Sequence, residues 1–213
     1  MELFDVVAEN GKVCNDNFPI EVDGAVGGFL SHPLVCGGRD SDDSYTDQCY
    51  LIGDNDPVAV TMTEKRGYAA SVVWANSFLF ITGGYDGHRY LSSSEYVWSN
   101  GTSTPGNDMP LPIGLHSMVA INDSTIMVIG GYNGGHLDNT YYYNPMDDKS
   151  TNWIDGPSLL EARHRHASAI LGHHIITGGG VNSNYALSSV EILDLQSFPH
   201  QWTQGKLIMF CYV

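Results

Sequence analysis

The stretch Thr125-Ile-Met-Val-Ile-Gly-Gly-Tyr-Asn-Gly-Gly135 reads as a short apolar strand that stops at two glycines. The same device returns as Leu34-Val-Cys-Gly-Gly38, Phe78-Leu-Phe-Ile-Thr-Gly-Gly84 and His174-Ile-Ile-Thr-Gly-Gly179. The second glycines fall at 38, 84, 131 and 179, so successive steps are 46, 47 and 48 residues. A fixed period of that length signals a repeat architecture, in which no single unit buries its own apolar face. Paired glycines at a strand end allow positive φ and close approach of another chain segment, at an entropic cost that an ordinary strand avoids.

Working outward, a polar loop follows each pair and then a strand with Glu or an aromatic: Asp47-Gln-Cys-Tyr-Leu-Ile52, Ser94-Glu-Tyr-Val-Trp98, Thr140-Tyr-Tyr-Tyr143 and Val190-Glu-Ile-Leu-Asp194. Cys49, Glu95 and Tyr142 lie eleven residues past the second glycine and Glu191 twelve. A further strand carries Trp153 or Trp202, with Val58-Ala-Val60 in the first copy and a weak Ser103 region in the second. Small-residue strands lead back to the glycines: Gly67-Tyr-Ala-Ala-Ser-Val-Val73, Leu115-His-Ser-Met-Val-Ala120 and His166-Ala-Ser-Ala-Ile170. Four short strands per copy bury both faces only by stacking as blades.

These features together, with an Arg-x-x-His strand from Arg163 to His166, resemble the kelch repeat of β-propellers. The resemblance covers nearly the whole chain and implies an all-β kelch-type β-propeller. The second copy lacks its Trp, and the first lacks both the Trp and the usual Tyr. One array is expected over 1–213, with blades at 23–66, 67–112, 113–161 and 162–204. Glu2-Leu-Phe-Asp5 is similar to Glu191-Ile-Leu-Asp194, so 1–22 would supply the outer strands of a split or incomplete fifth blade, and 205–213 a tail or the start of a closing blade. A ring about one strand short would have an open edge that favours self-association or pairing with a missing segment.

Twenty-four acidic against nine basic residues give a formal charge of −15, which disfavours nucleic acid and anionic membrane as partners. No apolar run reaches the roughly 18 residues of a membrane span, and Met1-Glu-Leu-Phe-Asp5 lacks the basic start of a signal peptide. The cytoplasm is therefore favoured, while Asn100-Gly-Thr102 and Asn122-Asp-Ser124 satisfy the N-glycosylation rule and keep an extracellular location open. Cys14, Cys36, Cys49 and Cys211 are too scattered for a metal knuckle. A hairpin centred near Asp42 and Asp43 would bring Cys36 and Cys49 face to face, as a disulfide or as two free thiols.

His164, His166, His173 and His174 fall within eleven residues. Alternate strand positions suit two imidazole ligands, but a third ligand is not evident, and structural roles are preferred. Asp40-Ser-Asp-Asp43 lacks the ligand spacing of a calcium loop. No nucleophile elbow, phosphate loop or His-Glu-x-x-His motif occurs, so neither a cofactor nor catalysis is expected.

Charge placement points instead to binding. Arg39 and Arg89 follow glycine pairs, while Lys65, Arg66, Arg163 and Arg165 precede the small-residue strands, and a propeller brings both loop sets to one rim. Arg39, Arg66, Arg89 and Arg163, with Tyr85, His88, Tyr132, Asn133, His136 and Tyr185, are expected to line a surface for a protein or peptide, arginine being suited to carboxylates. The resemblance implies a non-enzymatic interaction module, the substrate-recognition part of a ubiquitin-ligase adaptor if the parent has further domains. A secreted or cell-surface adhesion propeller is the alternative, and a galactose-oxidase-like enzyme, whose Tyr, Cys and His ligands are not assembled here, a distant one.

Overall fold

A computed structural model describes residues 21–52, 58–146, 153–183 and 185–205. The segments 1–20 and 206–213, on which the split fifth blade and the closing strand were expected, lie outside the described residues, as do Cys14 and Cys211.

Four antiparallel meanders follow one another along the chain. The first comprises β1 (Val26–Phe29), β2 (Pro33–Cys36), β3 (Gln48–Leu51) and β4 (Val58–Thr61). The second comprises β5 (Ala70–Trp74), β6 (Phe78–Thr82), β7 (Ser94–Trp98) and β8 (Ser103–Pro105). The third comprises β9 (Ser117–Asn122), β10 (Thr125–Tyr132), β11 (His136–Tyr143) and β12 (Ile154–Asp155). The fourth comprises β13 (Ala167–Leu171), β14 (His174–Gly178), β15 (Val190–Asp194) and β16 (Trp202–Gln204). The first strands β1, β5, β9 and β13 touch in succession, so the sheets stand as blades around one axis.

The core lies between blades. In β6, Leu79 and Ile81 pack towards Cys36, Cys49 and Val60 of the first sheet, whereas Phe78 and Phe80 pack towards Ile126, Val128 and Tyr143 of the third. Met127 and Ile129 of β10 then face Ile175, Leu193 and Trp202 of the fourth. Successive side chains of a strand point to opposite faces, so a blade covered on both sides needs an unbroken apolar strand, and all of β6 is buried. In β13 the covering ends: four of its five residues are exposed. Trp202 donates its indole N–H to the Pro157 carbonyl at 2.9 Å, and Trp153 donates its own to the Asn107 carbonyl at 3.3 Å, so both tryptophans stitch blades together.

The strand lead-ins are joined by a second device. The N–H of Tyr68 donates to the Gly24 carbonyl, that of Leu115 to Tyr68, and that of Arg165 to Leu115, at 2.7, 2.8 and 2.9 Å. Tyr68, Leu115 and Arg165 hold φ of 57°, 58° and 55°, a left-handed conformation that side chains adopt only under tertiary constraint. The hydrogen bond passed from blade to blade supplies that constraint.

The glycine pairs are the third. Gly37 (φ 65°) donates to Gln48 and Gly38 (φ 109°) to the Arg66 carbonyl, and a Cβ on Gly37 would collide with that same carbonyl. Gly83 and Gly84 repeat this against Ser93 and Ile113. In the fourth blade the left-handed pair is Gly179-Gly180, one residue later than the sequence spacing assigned. Counted from Gly180, Glu191 is eleven residues on, the same sequence spacing as Cys49, Glu95 and Tyr142 in the other blades.

Cys36 lies directly opposite Cys49 in the β2–β3 register, with their sulfurs 2.12 Å apart as a disulfide. It is buried in the first inter-blade core.

Candidate functional site

The loops after the glycine pairs and the linkers that lead into the next blade meet at one end of the sheets. The residue after each pair bridges to the neighbouring linker, as Arg39 to Asp23, Tyr85 to Gly67, Tyr132 to Gly114 and Val181 to His164. These bridges place a side chain from every blade on a common rim.

Rings form an arc along it. Tyr45 meets Tyr68 at 6.3 Å and Tyr85 at 5.5 Å, Tyr85 meets Tyr90 at 5.0 Å, and Tyr90 meets Tyr132 at 5.7 Å. Tyr132 continues to His136 at 5.2 Å and His164 at 5.1 Å. Edge-on contacts of this spacing are favourable for aromatic pairs, and each ring braces its neighbour while remaining partly open to solvent, apart from the buried His164. Between the first two blades the arc borders a cleft of about 440 Å³ lined by Asp43, Tyr45, Glu64, Lys65, Asp86 and His88. Desolvation pushes the Tyr45, Tyr68 and Tyr90 phenols up, so they stay neutral donors.

The arginines divide into two classes, and two of them correct the sequence reading. Arg66 and Arg163 are 1% and 0% exposed and cannot meet a partner. Arg66 donates to the Gly83 carbonyl at 2.8 Å, to the Ser93 carbonyl at 3.2 Å and to Ser93 Oγ at 3.1 Å. Its guanidinium lies 3.6 Å from Glu95, itself fully buried. Arg163 repeats the clamp on Gly179, Ser189 and Ser189 Oγ, and bonds Glu191 at 2.8 Å. Glu95 and Glu191 are in turn capped by linker donors: Thr63 N–H at 3.0 Å and Thr63 Oγ1 at 2.6 Å on the first, Leu160 N–H at 2.7 Å on the second. The fork geometry and permanent charge of arginine suit it to such buried pairing.

Arg39 and Arg89 do reach the rim. Arg39 is bonded to Asp23 and Asp43, each at 2.9 Å, and lies over the Tyr68 ring at 5.7 Å. Arg89, 70% exposed at its side chain, pairs with Glu64 at 3.2 Å and Asp86 at 3.4 Å. The Arg39 hydrogen bonds hold the Asp23 carboxyl below its usual range. Both cations are thus already matched by local acids, which weakens the expectation that they seek an incoming carboxylate.

Of the other expected contacts, Tyr85, Tyr132 and His136 stand in the arc, His88 is exposed beside it, and Asn133 lies in the tight turn closed on Gly135. Tyr185 is 63% exposed on the fourth blade. Sequence reasoning missed Tyr45, Tyr68, Tyr90 and His164. The recurrence of Tyr45 and Tyr90 six or seven residues past a second glycine was the signal that could have found the first and third.

The histidine cluster is dispersed. His164 Nδ1 lies 3.0 Å from His136 Nδ1, whereas His166 Nε2 bonds Ser117 Oγ at 2.8 Å. His116 repeats the latter arrangement on Thr82 Oγ1 at 2.9 Å. Desolvation holds His116 down at about 3 and His166 at about 4, so both are neutral spacers between blades. Asp40 Oδ1 accepts the N–H groups of Asp42 and Ser44, each at 2.9 Å, and so closes its own turn.

The chain is similar to Kelch domain-containing protein 9 of Mus musculus, with 25% identity over 160 residues, 67% of this chain and 43% of the relative. Similarity to the protein of the same name in Homo sapiens is 26% over 148 residues, 61% and 40% of the two chains. The fold is a kelch-type β-propeller array. No protein-family profile matches the chain. It spans less than half the length of these kelch relatives.

Proposed function

We propose that this kelch-type array is a non-enzymatic protein-interaction module whose glycine-pair rim receives an extended peptide carrying lysine or arginine. The observation that supports this reading is the arc of rings from Tyr68 to His136 beside the acidic cleft of Asp43, Glu64 and Asp86. Partly exposed tyrosines provide contact area at low entropic cost and a negative face for cations. Among the described residues, Asp23, Asp40, Asp42, Asp43, Glu64, Asp86, Asp108 and Glu161 outnumber the solvent-facing Arg39, Lys65, Arg89 and Arg165. Charge complementarity then sets partner choice and on-rate.

The test is fluorescence anisotropy with labelled lysine-rich, glutamate-rich and neutral peptides of one length. Lysine-rich peptide should bind best and weaken with salt, and Tyr85→Ala with Tyr132→Ala should reduce its affinity about tenfold or more with the melting temperature held. Equal binding of the glutamate-rich peptide, or none lost in the double variant, overturns the reading.

Service as the substrate-recognition part of a ubiquitin-ligase adaptor is one form this role takes, and it requires domains beyond this array. The paired sulfurs of Cys36 and Cys49 favour the second form, an adhesion propeller in an oxidising compartment. Intact mass of the protein from its own host, with and without reductant, separates them by the two hydrogens of a disulfide.

A further inference from the structure

The β13–β14 hairpin turns through Gly172 and His173 at the end of the fourth blade remote from the glycine rim. His174 opens β14 and lies directly opposite Asp194, which closes β15. His173 Nε2 is 3.9 Å from Asp194 Oδ1, the two imidazole centroids are 4.1 Å apart, and one ligating atom from each of the three residues lies within 4.8 Å of the others. The neighbouring strand therefore adds a carboxylate to the adjacent pair His173-His174, not to the alternate pair His164 and His166 that the sequence pattern offered.

We propose that His173, His174 and Asp194 bind a zinc-like divalent cation, a site separate from the rim and independent of the peptide reading. Two imidazole nitrogens and a carboxylate are the donor set of borderline transition metals, whereas calcium and magnesium demand oxygen shells. A tetrahedral shell sets ligand atoms about 3.4 Å apart, so the three side chains close by roughly 1 Å on binding. His173 projects from the turn at Gly172 (φ 60°) with its side chain 46% exposed, while His174 stands at the first position of β14, and side-chain rotation provides that movement. The frame behind them is set: Gln196 N–H donates to Asp194 Oδ1 at 2.9 Å, and Leu195 N–H to the His173 carbonyl at 2.9 Å. Such outer hydrogen bonds orient ligands before the metal arrives. Three protein ligands leave the outward position to water or to a partner's side chain.

The competing histidine pair gives the control. His136 and His164 sit 3.0 Å apart on the rim but have Tyr132, not a carboxylate, as their near neighbour. Untagged 213-residue protein is titrated with Zn²⁺ and Ca²⁺ by calorimetry, and with Co²⁺ by visible absorption. One equivalent of Zn²⁺ and the d–d bands of a four-coordinate Co²⁺ complex are expected, with no heat from Ca²⁺. Asp194→Asn and His174→Ala should each weaken Zn²⁺ binding roughly tenfold or more, and His136→Ala should leave it unchanged, with circular dichroism the same in all. No saturable Zn²⁺ binding, binding indifferent to Asp194→Asn, or binding lost in His136→Ala overturns the site.

Discussion

The junction between the second and third blades and that between the third and fourth use one backbone slot with opposite chemistry. In each, a linker carbonyl accepts from the second glycine of the blade behind: Ile113 from Gly84, Arg163 from Gly131. Ile113 sends its side chain into hydrocarbon against Met109 and Met118, with 0% exposure. Arg163 sends a guanidinium into an equally dry place and matches it with Glu191, three carbonyls and a hydroxyl. Arg66 does the same between the first and second blades. The backbone exchange defines the slot, so its contents vary between hydrocarbon and a guanidinium whose charge a buried glutamate matches, even though Arg66 Nε has no hydrogen-bond partner among the described residues. A charged filling brings directional bonds to the next glycine loop, and its desolvation makes it intolerant of losing either partner.

That contrast breaks most visibly at Arg163. Arg163→Ala should cost about 3–5 kcal/mol, because Glu191 is left buried, and urea unfolding should show it. Arg163→Met with Glu191→Leu should recover most of the loss, and failure to do so would mean that the clamp's bonds to Gly179 and Ser189 matter more than charge balance. Next in size, Ile113→Ala should cost about 2–4 kcal/mol through its cavity, with no change in salt dependence.

Acid sharpens the comparison from another side. His116 and His166 fill the same position at the second and third junctions, where the first junction has Ala69. Below about pH 6.5 the unfolded chain binds protons that these buried imidazoles refuse. Stability is therefore full above that pH and falls as the pH drops from there towards 4, by on the order of 1–3 kcal/mol for each histidine. Hydrogen exchange at pH 5 should show the second and third junctions opening before the first, and His116→Gln should flatten the pH curve. The smallest effect belongs to Arg89, whose exposed pairs with Glu64 and Asp86 are worth less than about 1 kcal/mol. Arg89→Ala should leave melting within a degree or two, and should tighten binding of a cationic peptide by freeing both acids.

Much of this was readable in advance where the cause is local. Glycine pairs mark strand ends because only glycine tolerates the carbonyl above it, and the run Phe78-Leu-Phe-Ile81 is apolar throughout because both its faces are covered. The true glycine pair in the fourth blade was obscured by three consecutive glycines, any two of which satisfy the pattern. Arg66 and Arg163 read as rim cations because they sit in polar linkers. Their burial depends on Glu95 and Glu191, which lie 29 and 28 residues downstream. The repeated Glu64-Lys-Arg66 and Glu161-Ala-Arg163, each with a later strand glutamate, carried that information as a correlation rather than as a local pattern.

The sequence by itself determined a repeating all-β array, its period, its strand order and the end of each blade at which loops gather, since these follow from alternation, turn chemistry and spacing along one chain. Tertiary structure alone decided which polar groups are solvent-facing and which are buried, which rings join into an arc, and that Asp194 stands beside His173 and His174. Those outcomes depend on distances between residues far apart in the chain, and desolvation and metal geometry respond to distance, not to order along the chain.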